Sequence, residues 1–282
     1  MSKSRLAPES MRARRGAGRI VPGVVALALS AGCGAVAPAS APAAPTPLVI
    51  LVTPAPTATA SPALSPGAIS LPECSTSDPC TGLAPGTYVL KGEGAFMAGL
   101  TVTVPVPWTN GEQDIGEFII RPGSPPGDLK FQRDITPVLR DGTPAHGVLR
   151  TSAGLIDWIR TSDDFVTSDL ESTTIGKGIA ATTLLVGVSK TAKNADPGCP
   201  VQVCVPLHTA EGWPPGEFYA IGRQPDPLYV RMYFADVLTG SVPHTLVVVL
   251  DAGDAVHLPA FEAFADPVLD SLQLPPGTTP AR

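Results

Sequence analysis

The chain has 282 residues, of which 19 are Lys or Arg and 25 are Asp or Glu, so its formal net charge is −6. An acidic chain argues against nucleic acid or anionic lipid as a binding surface, because both would repel it at long range. Aromatic residues make up only 5% of the sequence. About two hundred residues follow a Pro-rich stretch, which is enough for one domain with a proper core.

The first 33 residues have the pattern of an export signal. An apolar run extends from Ile20 to Leu29, about half the length that a membrane-spanning helix needs. Small residues then lead to Cys33. The basic residues that hold such a segment on the cytoplasmic side precede the run; they are Arg12, Arg14, Arg15 and Arg19. We therefore predict a signal peptide over residues 1–33.

The stretch Leu29–Cys33 resembles the lipobox of bacterial lipoproteins, in which an apolar residue and two small residues precede a cysteine. It departs from the common form because Ser30 stands three places before Cys33. The resemblance implies that Cys33 carries the lipid and that the chain is anchored in the bacterial cell envelope, outside the cytoplasm. An ordinary secretory signal is the alternative. Without residues 1–33 the chain keeps 13 basic and 24 acidic residues, a formal charge of −11.

Residues 34–71 are rich in Ala, Pro, Thr and Ser, which predicts a disordered, extended tether. Within it, Leu48–Val52 is an apolar, β-prone run. This run is either a chance sticky patch or a strand that docks on the domain or a partner. One folded domain is predicted over residues 72–274, followed by a disordered tail over residues 275–282.

Four cysteines remain after Cys33, and they form two close pairs in the sequence: Cys74 with Cys80, and Cys199 with Cys204. In an oxidising compartment these pairs favour two local disulfide bridges, although spacing alone allows three connectivities. A zinc site is the alternative. The C-x5-C and C-x4-C spacings differ from the usual zinc knuckle, C-x-x-C.

Strands dominate the predicted domain. They are expected at Thr87–Lys91, Leu100–Pro105, Glu117–Arg121, Asp128–Arg133, Phe165–Ser168, Ser172–Ile175, Ile179–Val188, Phe218–Gly222, Leu228–Val237 and Thr245–Asp251. Trp108 should close the edge of the core after the second of these. Because Val247, Val248 and Val249 are continuous rather than alternating, their strand should be central and covered on both faces.

Two helices are predicted. The first has Ser152 as its N-cap and an apolar stripe of Leu155, Ile156 and Ile159, with Trp158 beside it. The second spans about Pro259–Leu272. Pro267 should kink it or divide it into two short helices, with Asp266 capping the second.

This order of elements predicts an α+β domain, in which an antiparallel sheet packs against two main helices. From about Thr87 to Leu274 the order resembles the PsbP-like domains of exported bacterial lipoproteins and of an extrinsic photosystem subunit. The strand before Trp108, the helix around Trp158, the long paired strands and the closing helix carry the resemblance. It implies a binding or assembly module rather than an enzyme, and it implies no particular site residues.

The clearest cluster of chemically active residues is Asp251, Asp254 and His257, between the best strand and the last helix. Two carboxylates and an imidazole at a strand end could bind a divalent metal ion. Asp and Gly are equally typical of turns at such a place. The serine-hydrolase and zinc-protease motifs are absent from the sequence.

The sequence thus favours a membrane-anchored lipoprotein whose domain binds an envelope protein or a small ligand, with no cofactor and no nucleic acid. The alternative is an exported hydrolase or metal-dependent enzyme that uses Asp251, Asp254 and His257. A third hypothesis is a purely structural spacer domain.

Overall fold

Antiparallel strands make up most of the fold. The computed structural model describes residues 67–72, 80–90, 97–105, 108–193, 201–223 and 228–281. The predicted signal peptide with Cys33, the run Leu48–Val52, and the cysteines Cys74 and Cys199 lie outside these ranges. In the part that is described, no helix has the length and apolar character needed to cross a membrane.

In chain order, the helices and strands of the described ranges are β1 (Ile69–Ser70), β2 (Gly82–Leu83), β3 (Gly86–Val89), β4 (Thr101–Val104), β5 (Trp108–Asp114), β6 (Glu117–Pro122), β7 (Asp128–Arg133), β8 (Thr136–Pro137), α1 (Ser152–Thr161), β9 (Phe165–Thr167), β10 (Glu171–Ile175), β11 (Ile179–Val188), β12 (Val203–Thr209), β13 (Tyr219–Arg223), β14 (Tyr229–Thr239), β15 (Val242–Asp251), α2 (Leu258–Ser271) and β16 (Thr278–Pro280). The α+β class is therefore confirmed.

A central antiparallel sheet organises the domain. Its order is β10-β11-β14-β15-β7-β6-β5-β2, with β9 beside β11 and β16 beside β14. β15 lies between β14 and β7, and Val247, Val248 and Val249 have no exposed surface. The prediction that this continuous apolar strand is central and covered on both faces is confirmed.

The first face of the central sheet packs against α2 and a small sheet of order β1-β3-β4. Phe118 and Phe131 are paired across β6 and β7 on this face, and their rings stack with centroids 4.4 Å apart. Trp108 is 1% exposed and stacks on Phe264 of α2, with ring centroids 5.3 Å apart. Trp108 therefore lies in the core, and it is the first residue of β5.

The second face packs against α1 and another small sheet, of order β13-β12-β8. The predicted stripe of α1 is confirmed, because Leu155, Ile156 and Ile159 are its buried residues. The cap is one residue earlier than predicted: Thr151 accepts a hydrogen bond from the Gly154 amide at 3.2 Å.

Several boundaries correct the predictions. α2 is one helix with Pro267 inside it, so the alternative of two short helices, with Asp266 capping the second, is wrong. The segment around Cys204, for which no strand was predicted, contains β12, which is mostly buried. The predicted disordered tail contains β16, paired with the edge of β14. The folded domain also begins before residue 72, since Ile69–Ser70 pairs with β3.

Candidate functional site

Two features of the second face deserve consideration as sites: a buried group of polar side chains and a surface cleft. The polar group arises from the alternation of β7. Leu129 and Phe131 point to the first face, so Asp128, Lys130 and Gln132 point to the second. Polar residues on the neighbouring strands pair with them: Glu117 of β6 pairs with Gln132, and Asp251 of β15 pairs with Asp128. We call these side chains, together with Tyr219 and His208, which cover them, the inter-sheet polar cluster.

An ion network lies at one end of the cluster. Lys130 is 1% exposed, and its Nζ lies 2.6 Å from Asp128 Oδ2. Arg121 Nε donates to the other oxygen of Asp128, also at 2.6 Å. Burial alone would raise the pKa of Asp128, but the charges of Lys130 and Arg121 outweigh burial and hold that pKa below its usual value.

The β12–β13 strands cover this network with two aromatic side chains. The Tyr219 hydroxyl donates to Asp251 Oδ2 at 2.7 Å, and Lys130 Nζ lies 5.5 Å from the centre of the Tyr219 ring. Burial, with the charge of Asp251, raises the pKa of Tyr219. The hydroxyl therefore stays protonated and acts as a donor.

His208 is the second covering side chain. It is 1% exposed, its ring lies 5.3 Å from that of Tyr219 and 6.3 Å from that of Trp213, and neither ring nitrogen has a hydrogen-bond partner in the described part of the chain. Burial, together with the charge of Lys130, lowers its pKa from 6.5 to about 3. His208 is therefore neutral at physiological pH.

A carboxylate on β6 connects the remaining members of the cluster. Glu117 accepts from Gln132 Nε2 at 2.9 Å and from Trp213 Nε1 at 3.0 Å. Lys130, Gln132 and His208 are each no more than 1% exposed. Side chains this buried cannot contact a substrate. The cluster therefore has a structural role, in which it joins the β12–β13 sheet to the central sheet.

The surface cleft lies where the end of α1 meets β8 and β12, and it has a volume of about 210 Å³. α1 ends at Thr161 and is capped by Ser162, whose amide donates to the Trp158 carbonyl at 3.2 Å, and the chain then enters β9. The walls of the cleft come from these neighbouring elements and consist of Val138, Leu139, Arg140, Trp158, Thr161, Ser162, Asp164, Phe165 and Pro206.

One side of the cleft is apolar. Trp158 is half-buried and its ring lies 5.8 Å from that of Phe165, while Val138 and Pro206 are buried. Leu139 keeps 47% of its surface exposed. A solvent-facing cavity with an indole in its wall offers a flat apolar surface to a ligand.

The lining of the cleft also contains an ion pair. Arg140 follows β8 in a tight turn closed by the Leu139 amide, which donates to the Thr143 carbonyl at 2.7 Å. Arg140 Nε donates to Asp164 Oδ2 at 3.1 Å, and a second guanidinium nitrogen donates to Oδ1. This hydrogen bonding and the carboxylate charge raise the pKa of Arg140. The pair is thus bidentate, with no net charge.

The three residues predicted as a possible metal site are not brought together. The oxygens of Asp251 accept from Tyr219 and from the Gly253 amide. Asp254 instead binds the ring of His257, with Nδ1 and Oδ2 2.6 Å apart, on the exposed surface. Across the ranges described, no group of three His, Cys, Asp or Glu side chains is suited to a metal ion. The alternative of a metal-dependent enzyme gains no support from this geometry.

The cysteines are described only in part. Cys80 and Cys204 are each disulfide-bonded, and Cys204 is 1% exposed in β12. Because Cys74 and Cys199 lie outside the described ranges, the two local bridges stay a prediction.

Sequence analysis missed both features of the second face. Arg140 and Asp164 are 24 residues apart and show no motif. The position of Trp158 beside the apolar stripe of α1 was a usable signal, since a large aromatic at the edge of a stripe is only partly covered. Comparisons with known proteins add nothing to this geometry: no family model, curated protein or solved structure matches the chain.

Proposed function

We propose that the chain is a lipoprotein of the bacterial envelope, anchored through Cys33, whose α+β domain is a binding module for a small ligand. The export pattern of residues 1–33 and the Pro-rich segment after it support the anchor and the tether. An antiparallel sheet with two helices is compatible with the PsbP-like resemblance, which we retain as part of the proposal. Nucleic acid is not among the proposed partners, since the exported part has a formal charge of −11.

The observation that carries the binding function is the cleft beside α1. It combines an indole wall with a bidentate ion pair, and it opens to solvent. Ligand sites in proteins commonly pair an apolar surface with a few convergent polar groups. The cleft is smaller than the roughly 300 Å³ at which drug-sized pockets begin, so the ligand is small or only one end of it enters.

Anchoring is tested by Cys33→Ala. The variant should incorporate no radiolabelled palmitate and should leave the membrane fraction, because the acceptor thiol is gone. Ser40→Ala, in the predicted tether, is the control and should behave like the wild type. Unchanged membrane association of Cys33→Ala would contradict the anchor.

Binding at the cleft is tested by thermal unfolding of the full chain in detergent with a library of small neutral and charged fragments. We expect at least one fragment to raise the Tm of the wild type, because a ligand that binds only the folded state stabilises it. The same fragment should have no effect on the Trp158→Ala or Arg140→Gln variant. Shifts of equal size in all three proteins, or none in the wild type, would contradict a ligand site at the cleft.

A further inference from the structure

We infer from the geometry of the cleft that its ligand is an uncharged saccharide ring. This inference rests on the binding site proposed above. A sugar ring has an apolar C–H face and a rim of hydroxyl groups that donate and accept hydrogen bonds. The lining of the cleft has both kinds of surface, with the indole of Trp158 and the ion pair of Arg140 and Asp164.

The charge of the cleft disfavours an anionic ligand. Arg140 is paired with Asp164, and the neighbouring carboxylate of Asp163 also acts on the guanidinium. An anionic ligand would compete with Asp164 for Arg140 and meet the repulsion of both carboxylates. A cationic ligand would have to compete with Arg140 for Asp164, whereas a neutral ligand leaves the ion pair intact.

The ion pair is nonetheless rich in hydrogen-bonding groups. A guanidinium has five N–H donors, and the two bonds to Asp164 leave the others for a ligand. The carboxylate oxygens keep lone pairs that can accept from hydroxyl groups. Adjacent hydroxyls, which each donate and accept, can therefore bind both partners of the pair without breaking it.

The apolar wall supplies the other half of recognition. The face of an indole ring is negatively polarised, so it attracts the positively polarised C–H groups of a sugar ring. Trp158 is held in place by Phe165 and by the position of α1 on the central sheet. The volume of about 210 Å³ suits one ring rather than an extended chain.

The test uses one ring in three charge states: N-acetylglucosamine, which is neutral, glucosamine, which is cationic, and glucuronate, which is anionic. Glucose and arabinose extend the neutral set. Each is titrated by calorimetry into the full chain, in a detergent without a sugar headgroup. We expect a neutral saccharide to bind and its anionic analogue to bind at least about tenfold more weakly.

Variants locate the binding. Arg140→Gln should weaken the neutral saccharide about tenfold, because a charged hydrogen-bond donor is lost at an exposed position where folding is little affected. Trp158→Phe should weaken it less than Trp158→Ala. Arg160→Gln, on the exposed side of the same helix, is the matched control and should leave the affinity unchanged.

The outcomes separate the inference from the function on which it rests. Tighter binding of a charged analogue, or neutral saccharides that fail to bind while fragments still raise the Tm through Trp158, would overturn the saccharide inference alone. Failure of both saccharides and fragments would overturn the binding site as well. Saccharide binding that all variants retain would place the ligand elsewhere and also overturn the inference.

Discussion

The hydroxyl of Tyr219 donates to Asp251 Oδ2 at 2.7 Å, which joins the β12–β13 sheet to the central sheet. The other oxygen of Asp251 accepts from the Gly253 amide, so each of its carboxylate oxygens has a donor within the domain. The contact with Asp251 gives Tyr219 a structural role, because the hydrogen bond joins two strands that are far apart in the sequence.

Tyr219→Phe should lower the free energy of unfolding by about 1–2 kcal/mol, because Asp251 loses a donor in a largely buried place. Urea unfolding followed by circular dichroism measures this loss. Tyr229→Phe is the matched control, since the Tyr229 hydroxyl makes no hydrogen bond within the described ranges, and it should change stability by less than about 0.5 kcal/mol. Equal losses in the two variants would argue against the contact.

The ion network of the cluster predicts an asymmetry between its members. Asp128→Asn should lower the free energy of unfolding by about 3 kcal/mol at pH 7, because it leaves the buried Lys130 without its carboxylate. Lys130→Met should have the smaller effect, about 1–2 kcal/mol, since Asp128 keeps Arg121 as a partner. Chemical denaturation of both variants gives the order. The reverse order would show that Lys130 has another compensating group.

Burial of neutral His208 predicts a loss of stability in acid. The unfolded chain binds a proton at this histidine below about pH 6.5, whereas the folded chain, with a pKa of about 3, does not. Stability from this group is therefore complete above pH 6.5 and falls by about 1.4 kcal/mol per pH unit as the pH drops toward 3.

His208→Phe should remove this pH dependence while retaining the ring contacts with Trp213 and Tyr219. At pH 7 its free energy of unfolding should stay within about 1 kcal/mol of the wild type, because the imidazole nitrogens make no hydrogen bond in the described part of the chain. At pH 5 it should be the more stable protein. Denaturation at both pH values, with the exposed His146→Gln as control, decides this; parallel losses in wild type and His208→Phe would contradict it.

The turn between β10 and β11 offers a paired test of backbone packing. Gly176 has φ +53°, and a Cβ there would lie 2.1 Å from the Leu272 carbonyl oxygen at the end of α2. Gly178 has φ +79° with open space around it. Gly176→Ala should thus lower the free energy of unfolding by about 3 kcal/mol, and Gly178→Ala by about 1 kcal/mol. Similar values for the two would show that the turn can move away from α2.

Local periodicity explains the part of the fold that sequence analysis predicted well. The bounds of β7 and β11 and the buried stripe of α1 follow from side-chain alternation and helical spacing, which depend on neighbours in the chain. Where the prediction was wrong, contacts distant in sequence decided the structure. β16 forms because β14 extends past the end of β11 and offers an unpaired edge.

The sequence by itself determined the α+β class, the central place of β15 and the pattern from which export and anchoring are proposed, since each depends on a run of adjacent residues. Only the tertiary structure placed Arg140 against Asp164 beside Trp158, turned Asp251 toward Tyr219, and buried Lys130 and His208 between two sheets. The reason is physical: hydrogen bonds, ion pairs and burial act through space, and strand pairing brings together residues whose separation in the chain carries no signal.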